Sequence, residues 1–170
     1  MAETSVIMRN PMVFINETHY VGRVKSVACE MTKKMMSVGG MGGVGNMEIP
    51  TGKYEPATAS VEFSSIANGD VVQLNKNDGF VKLRMTAQIR MLDASSGTRI
   101  IDQAVTRIHG YVKNPPVPGY SDDGSPYTAQ IAVSFIEILN TSGRIFMVDF
   151  VNGVMYPDGS PGEYGITVSF

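Results

Sequence analysis

This sequence predicts a mainly β fold, a sandwich or barrel with one short helix, a long extended hairpin and terminal arms. Three observations predict it. From Phe80 to Leu92, the residues Val81, Leu83, Met85, Ala87, Ile89 and Met91 alternate with Lys82, Arg84, Thr86, Gln88 and Arg90, the period of a half-buried strand. No window keeps apolar residues at i, i+3, i+4 and i+7 over three turns. The 18 glycines and 9 prolines interrupt nearly every long stretch. A length of 170 residues suggests one domain over 1–170, enough to bury roughly 70% of the unfolded surface.

Taken in order, residues 1–10 read as an arm, polar first and then Val6-Ile-Met8. Met12–Ile15 and His19–Val24 read as a first hairpin around an Asn16-Glu17-Thr18 turn, with His19 a surface strand residue. From Val24 the alternation puts Val27, Cys29 and Met31 on one face and Ser26, Ala28, Glu30 and Thr32 on the other. Thr58–Phe63 repeats it, with Ala59, Val61 and Phe63 opposed to Thr58, Ser60 and Glu62. Between these arms lies an extended hairpin over 33–60, which leaves the sheet near Met36 and Ala57. Five of the seven residues from Gly39 to Gly45 at its tip are glycine. A short helix is expected over Gly69–Leu74, capped by Ser64 or Ser65 and weakened at Gly69 by about 1 kcal/mol relative to Ala. Asp78-Gly79 turns the chain into the Phe80–Leu92 strand. Asp93–Gly97 is a loop, and Thr98–Val112 is apolar enough to be largely covered. Residues 114–126 are a Pro- and Gly-rich surface loop, Tyr127–Leu139 a strand, Asn140–Gly143 a hairpin turn, and Arg144–Phe150 its return. A turn over Val151–Val154 leads to a C-terminal arm over 156–170, in which Ile166–Phe170 suits a sheet edge.

Composition narrows the function classes. Charged residues make up 18% of the chain, below the usual ~25%. This fits a surface covered by neighbours, and equally a compact β protein rich in Ser, Thr and Gly. Net charge is -2, and no Lys/Arg run marks a nucleic-acid footprint. The single Cys29 excludes an intramolecular disulfide framework and reads as a buried small hydrophobe. No leader pattern and no apolar run near ~18 residues is present, and the expectation is a chain made and kept in the cytoplasm.

Catalytic motifs are discounted on context. Gly40-Met-Gly42-Gly-Val-Gly45 satisfies G-x-G-x-x-G, but Pro50 and Gly52 stop the helix that would have to hold a pyrophosphate. Thr51-Gly-Lys53 lacks the rest of a P-loop. The two histidines, His19 and His109, stand far apart, with no triad order or metal spacing. Asp122-Asp123 lies in a solvated loop. No enzyme, cofactor or metal is expected. A carbohydrate-binding sandwich would want clustered aromatics at one rim; Trp is absent and the Tyr residues are scattered.

The order of pieces resembles a known family. NETHYVGRVKSV is followed by a tip at Gly39-Gly40-Met41 and the return IPTGKYEPATASVEF. A short helix and long strands then lead to SFIEILNTSGRIFMVDFVNGV. The chain is similar to the major tail tube protein of contractile-tailed bacteriophages and related phage-tail-like bacteriocins. That resemblance implies a virion tail protein, assembled in the host cytoplasm. It implies six-membered rings stacked into a rigid tube, with a curved sheet from each subunit contributing to an inner barrel. Implied partners are further copies of itself, a sheath outside, a tape measure protein in the lumen, and baseplate and tail terminator proteins at the ends. DNA is present only in transit, and no membrane is involved. The tip residues Gly39, Gly40, Met41, Gly42, Gly43, Val44 and Gly45, with Met47 and Ile49, become expected inter-ring and inter-subunit contacts. Ser26, Glu30, Thr32, Thr58, Ser60 and Glu62 become lumen-facing candidates, on the argument that a conduit of Ser, Thr and carboxylates offers phosphate no basic anchor. The tube component of a type VI secretion system, or of a non-contractile tail, is the alternative within the same fold.

Overall fold

A computed structural model describes residues 4–20, 23–40, 43–117 and 119–157. Eleven strands and one α-helix are found among them: β1 (Thr4–Ile15), β2 (Thr18–His19), β3 (Val24–Glu30), β4 (Lys33–Val38), β5 (Met47–Tyr54), β6 (Thr58–Phe63), α1 (Asn68–Asn75), β7 (Phe80–Asp93), β8 (Arg99–Val112), β9 (Tyr127–Asn140), β10 (Gly143–Asp149) and β11 (Val154–Tyr156). The mainly β expectation holds.

All pairings are antiparallel. One path runs β3-β6-β9-β8-β7-β1, with β2 against the end of β1. β9 is the branch point. One of its edges takes β8, and the other takes β6 over Tyr127–Ala132 and β10 over Phe135–Asn140. The fork coincides with a register shift between His109 and Gly110 on β8. A Cβ at Gly110 would stand 2.2 Å from the Ala132 carbonyl oxygen. Only glycine lets the backbones approach this closely at the irregularity.

The core forms on one face of this path. Ile15, Val61, Phe63, Leu83, Ile108 and Ile131 are each almost wholly buried and come from five different strands. Each such side chain contributes roughly 1.5–3 kcal/mol relative to exposure. Val13 of β1 and Val24 and Val27 of β3 pack on the same cluster, so the sheet bends round until its two end strands share a core. β1 and β3 are nevertheless not hydrogen-bonded to one another among the described residues. The single chain is therefore a curled, open sheet and not a closed barrel.

The helix extends one residue beyond its expected span at each end. Its cap is Ala67, not Ser64 or Ser65. Asp70 does the capping: its Oδ2 accepts the Ala67 N–H at 2.8 Å and the Arg23 guanidinium at 2.6 Å. A buried carboxylate thus joins the helix start to the segment leading into β3, while Leu74 plugs the core. A left-handed run through Asn77, Asp78 and Gly79 makes the expected turn into β7.

Several expectations are corrected. Residues 4–10 of the supposed arm are paired strand, with Thr4–Arg9 in register against Gln88–Asp93. The first hairpin is small, since β2 has only two residues, and its turn is Asn16-Glu17, both at positive φ. The strand from Val24 breaks at Met31-Thr32, so the arm leaves the sheet earlier than Met36; the return near Ala57 is as expected. The first half of β8 is exposed rather than covered. The supposed strand Ile166–Phe170, and all but the first two residues of the C-terminal arm, lie outside the described residues.

Candidate assembly surfaces

Three surfaces stand out, and each follows from strand alternation. The first is the hairpin. β4 and β5 form a two-stranded sheet of their own, separate from the large one. Met36 pairs with Ile49 and Val38 with Met47, so four apolar side chains share one face of the ribbon. Met47 is 63% exposed. An isolated two-stranded ribbon is marginal in water, and Met36, Val38 and Met47 of this one stay exposed among the described residues.

At its tip, Gly43 N–H donates to the Gly40 carbonyl at 3.2 Å, and Val44 is fully exposed. Met41 and Gly42 lie outside the described residues. A Cβ at Gly39 would displace only the exposed Asn46 side chain, and Gly40 and Gly45 face open space. The G-x-G-x-x-G letters connect two antiparallel strands rather than a strand and a helix. Of the nine contact candidates, the seven described ones lie on this one excursion.

The second surface is the outward face of the β3–β6 pair. Ser26 lies opposite Glu62, Ala28 opposite Ser60, and Glu30 opposite Thr58. Thr32 sits just beyond the strand end, exposed. The structure therefore gathers five of the six lumen candidates on one face and places the sixth beside it. β9 extends that face with Thr128 and Gln130. The expectation of a face without basic groups is corrected. Lys25 Nζ reaches Glu62 at 3.3 Å, and Lys113 Nζ donates to Thr58 Oγ1 at 2.8 Å. Lys25 arrives there through a register shift between Val24 and Ser26, which strict alternation does not anticipate. Lys113 arrives from a distant part of the sequence.

The third surface was missed as a surface. Beyond the core, β1, β7 and β8 continue as a single layer. On the face that carries the core, Val6 lies opposite Met91 and Met8 opposite Ile89, and Ile100 continues the row beside Met91. Val6 is 63%, Met8 60% and Ile100 56% exposed. One carboxylate, Asp93 opposite Thr4, ends the row, and a second, Asp102 opposite Ile89, lies within it between Ala104 and Ile100. Hydrogen bonds from Ser95 and Ser96 hold the Asp93 carboxyl down at about 2; a bond from Thr141 lowers Asp102. Where the row meets the core, a trough of about 430 Å³ opens between β1 and β3, lined by Met8, Met12, Val27, Cys29, Met85 and Ile108 among others. Cys29 is half-buried in its wall, and burial pushes its thiol upward.

The opposite face of the layer is charged. Glu137, buried, accepts from Arg144 Nε at 2.7 Å and from Arg107 Nη1 at 3.4 Å. His109 stacks near Phe135 at 4.9 Å, and burial lowers its pKa, with Lys82 and Arg107 adding to the effect. No group of three His, Cys, Asp or Glu suited to a metal occurs among the described residues.

No curated protein sequence matches the chain. The profile of a protein family does, described as phage tail tube protein FII, over residues 5–160. That span takes in β1 through β11, with the hairpin, the forked sheet and the single layer, and the chain belongs to the phage tail tube protein FII family, as a structural component of the virion tail.

Proposed function

We propose that the chain polymerises as stacked six-membered rings into the inner tube of a contractile tail, the conduit for DNA ejection. The observation that carries this reading is the single layer of β1, β7 and β8, whose row of Val6, Met8 and Ile100 stands exposed among the described residues. Soluble monomers rarely expose apolar patches of this kind without a partner. Head-to-tail contacts that close into a ring and repeat along an axis would cover such rows and the hairpin together. Sheath, tape measure, baseplate and terminator proteins are the partners this role requires.

The lumen is assigned to the outward face of β3 and β6, with Ser26, Glu30, Thr32, Thr58, Ser60 and Glu62. Its two lysines are engaged: Lys25 with Glu62, and Lys113 with Thr58. Exposed pairs of this kind are weak, so the face is close to neutral in effect rather than repulsive. It lets DNA pass without a strong anchor.

Electron microscopy of the concentrated protein tests both parts. Rings and tubes are expected, and monomers at every concentration and salt would overturn the polymer. In tubes of a Ser60→Cys variant carrying a heavy-atom cluster, the label is expected inside the bore. Label on the outer wall would overturn the lumen assignment.

A further inference from the structure

The trough between β1 and β3 opens between two strand edges. Each strand lines it with consecutive residues, Pro11, Met12 and Val13 on β1 and Val24, Lys25, Ser26 and Val27 on β3. Neighbouring residues on a strand point to opposite faces, so a cavity that touches all of them meets the strand edge-on. The edge of β3 away from β6 carries no pairing among the described residues. The floor is apolar, with Met85, Ala87, Ala104 and Ile108. An occupant therefore needs an extended backbone for the edge and apolar side chains for the floor. Ile166-Thr-Val-Ser-Phe170, outside the described residues, has the alternation for both, in residue types suited to strands. Its two sets also match the two faces of β3, where Val27 and Cys29 pack on the core and Ser26, Ala28 and Glu30 take the other side. The family profile ends at residue 160, so these five residues lie beyond what the match carries.

We propose that Ile166–Phe170 adds as an antiparallel strand to the free edge of β3 in the same chain, with Ile166 opposite Cys29 and Val168 opposite Val27. Ile166, Val168 and Phe170 then fill the trough. Thr167 and Ser169 continue the hydroxyl-rich outward face beside Ala28 and Ser26. Chain length permits this within one molecule. Tyr156 lies in line with Met147 and Glu137, and Glu30 with Thr58 and Ala132. Five residues of β9 separate the two rows, about 17 Å, and residues 157–165 reach about 30 Å when extended. Met155 of β11 packs on the same core cluster as Cys29 and Met31, so the segment arrives at the Glu30 end of β3. Direction follows from the topology. An odd number of antiparallel pairings links β3 to β1 through β6, β9, β8 and β7, so the two strands run in opposite directions. A strand laid between them is antiparallel to only one, and arrival at the Glu30 end makes that one β3. Pairing there also removes an open edge that would otherwise invite another chain. The inference concerns a single chain and stands apart from the tube reading.

The native Cys29 serves as the probe, in dilute monomeric protein. Under mild oxidation, Ile166→Cys is expected to form a disulfide with Cys29 within one chain, with both thiols lost and no dimer on a non-reducing gel. Thr167→Cys, one residue on but on the other face, should link about tenfold more slowly, because Cβ vectors that point apart cannot be bridged without backbone movement. Equal linking by the two variants, or none by either, overturns the pairing. Dimers in place of the internal disulfide overturn its placement in the same chain. Alkylation of Cys29 by iodoacetamide tests the occupancy of the trough without a new cysteine. Val168→Asp should expel the segment and speed the reaction by about tenfold, since thiol reactivity follows access, while Thr167→Asp should leave the rate as in wild type. Equal rates in wild type and Val168→Asp overturn the inference. Neither experiment requires polymerisation, so a chain that never forms tubes leaves this test intact.

Discussion

The two halves of β7 carry the same alternation and meet opposite fates. In the first half, Val81 and Leu83 are 0% and 2% exposed, under β6, β9 and α1. In the second half, Ile89 and Met91 stand in a row with the exposed Val6, Met8 and Ile100. Nothing in the strand itself distinguishes the two. The difference lies in what crosses above. β6 is six residues long and covers only one end of a strand of fourteen. An apolar face therefore states that a surface is to be covered, and leaves open whether the cover comes from the same chain.

The comparison breaks most easily at the covered end. Phe63 is almost wholly buried and packs between the rings of Tyr20 and Tyr127, with centroids at 6.0 and 5.9 Å. Phe63→Ala leaves a cavity that the sheet cannot close and should destabilise the monomer by about 3–5 kcal/mol. Urea unfolding under dilute, monomeric conditions measures it. A loss no larger than that of a substitution in the exposed row would erase the distinction between the two halves.

Titration should separate the same two ends in opposite directions. Tyr20 belongs to the covered end. Burial, followed by the Asp70 charge and hydrogen bond, pushes its hydroxyl up from 10.0 to about 12. Folding thus favours the neutral phenol. That contribution is complete below pH 10.0 and is lost as pH rises through about 12. Asp93 belongs to the open end, and hydrogen bonds from Ser95 and Ser96 lower it from 3.8 to about 2. Its contribution is complete above pH 3.8 and is lost as pH falls through about 2. Burial raises Tyr127 as well, so tyrosinate absorbance should show late-titrating rings in alkali, and Tyr20→Phe should remove one of them. Limited proteolysis in acid should cut first near the β7–β8 turn. Cleavage starting at the helix in acid would contradict this division.

The sequence made the covered end legible because its signals are local. β6 alternates cleanly, β7 is unmistakable, and the turns at Asn140–Gly143 and Val151–Val154 carry their own Gly and Asn. The rest depended on contacts between distant residues. β1 reads as an arm because Arg9-Asn10-Pro11 interrupts it; the structure absorbs that break as a register shift between Arg9 and Met12, with Asn10 at positive φ. Met31-Thr32 carries no glycine or proline, so nothing in the letters marks where the hairpin leaves the sheet. The polar candidates Ser26 through Glu62 were placed correctly relative to one another by alternation. The two lysines among them were not, because a bulge turned one and a remote strand end delivered the other.

The smallest effect on the monomer gives the sharpest test of the open end. Ile100 is more than half exposed and beyond the reach of the core cluster. Ile100→Ser should leave monomer stability within about 0.5 kcal/mol of wild type. If the row is buried by a neighbour, the same substitution removes roughly 1.5–3 kcal/mol from a contact that every added copy repeats. A change of about 1.4 kcal/mol is tenfold in an equilibrium constant, so the critical concentration for polymerisation should rise by about tenfold or more. Ile101 supplies the control, because it is equally exposed and adjacent in sequence but points to the charged face. Sedimentation of assembled from unassembled protein across a concentration series reads both variants. Equal shifts for Ile100→Ser and Ile101→Ser would mean that general loss of hydrophobicity, not the face of β8, governs assembly. A large shift for Ile100→Ser alone, at unchanged monomer stability, would show that this row is built for a neighbour.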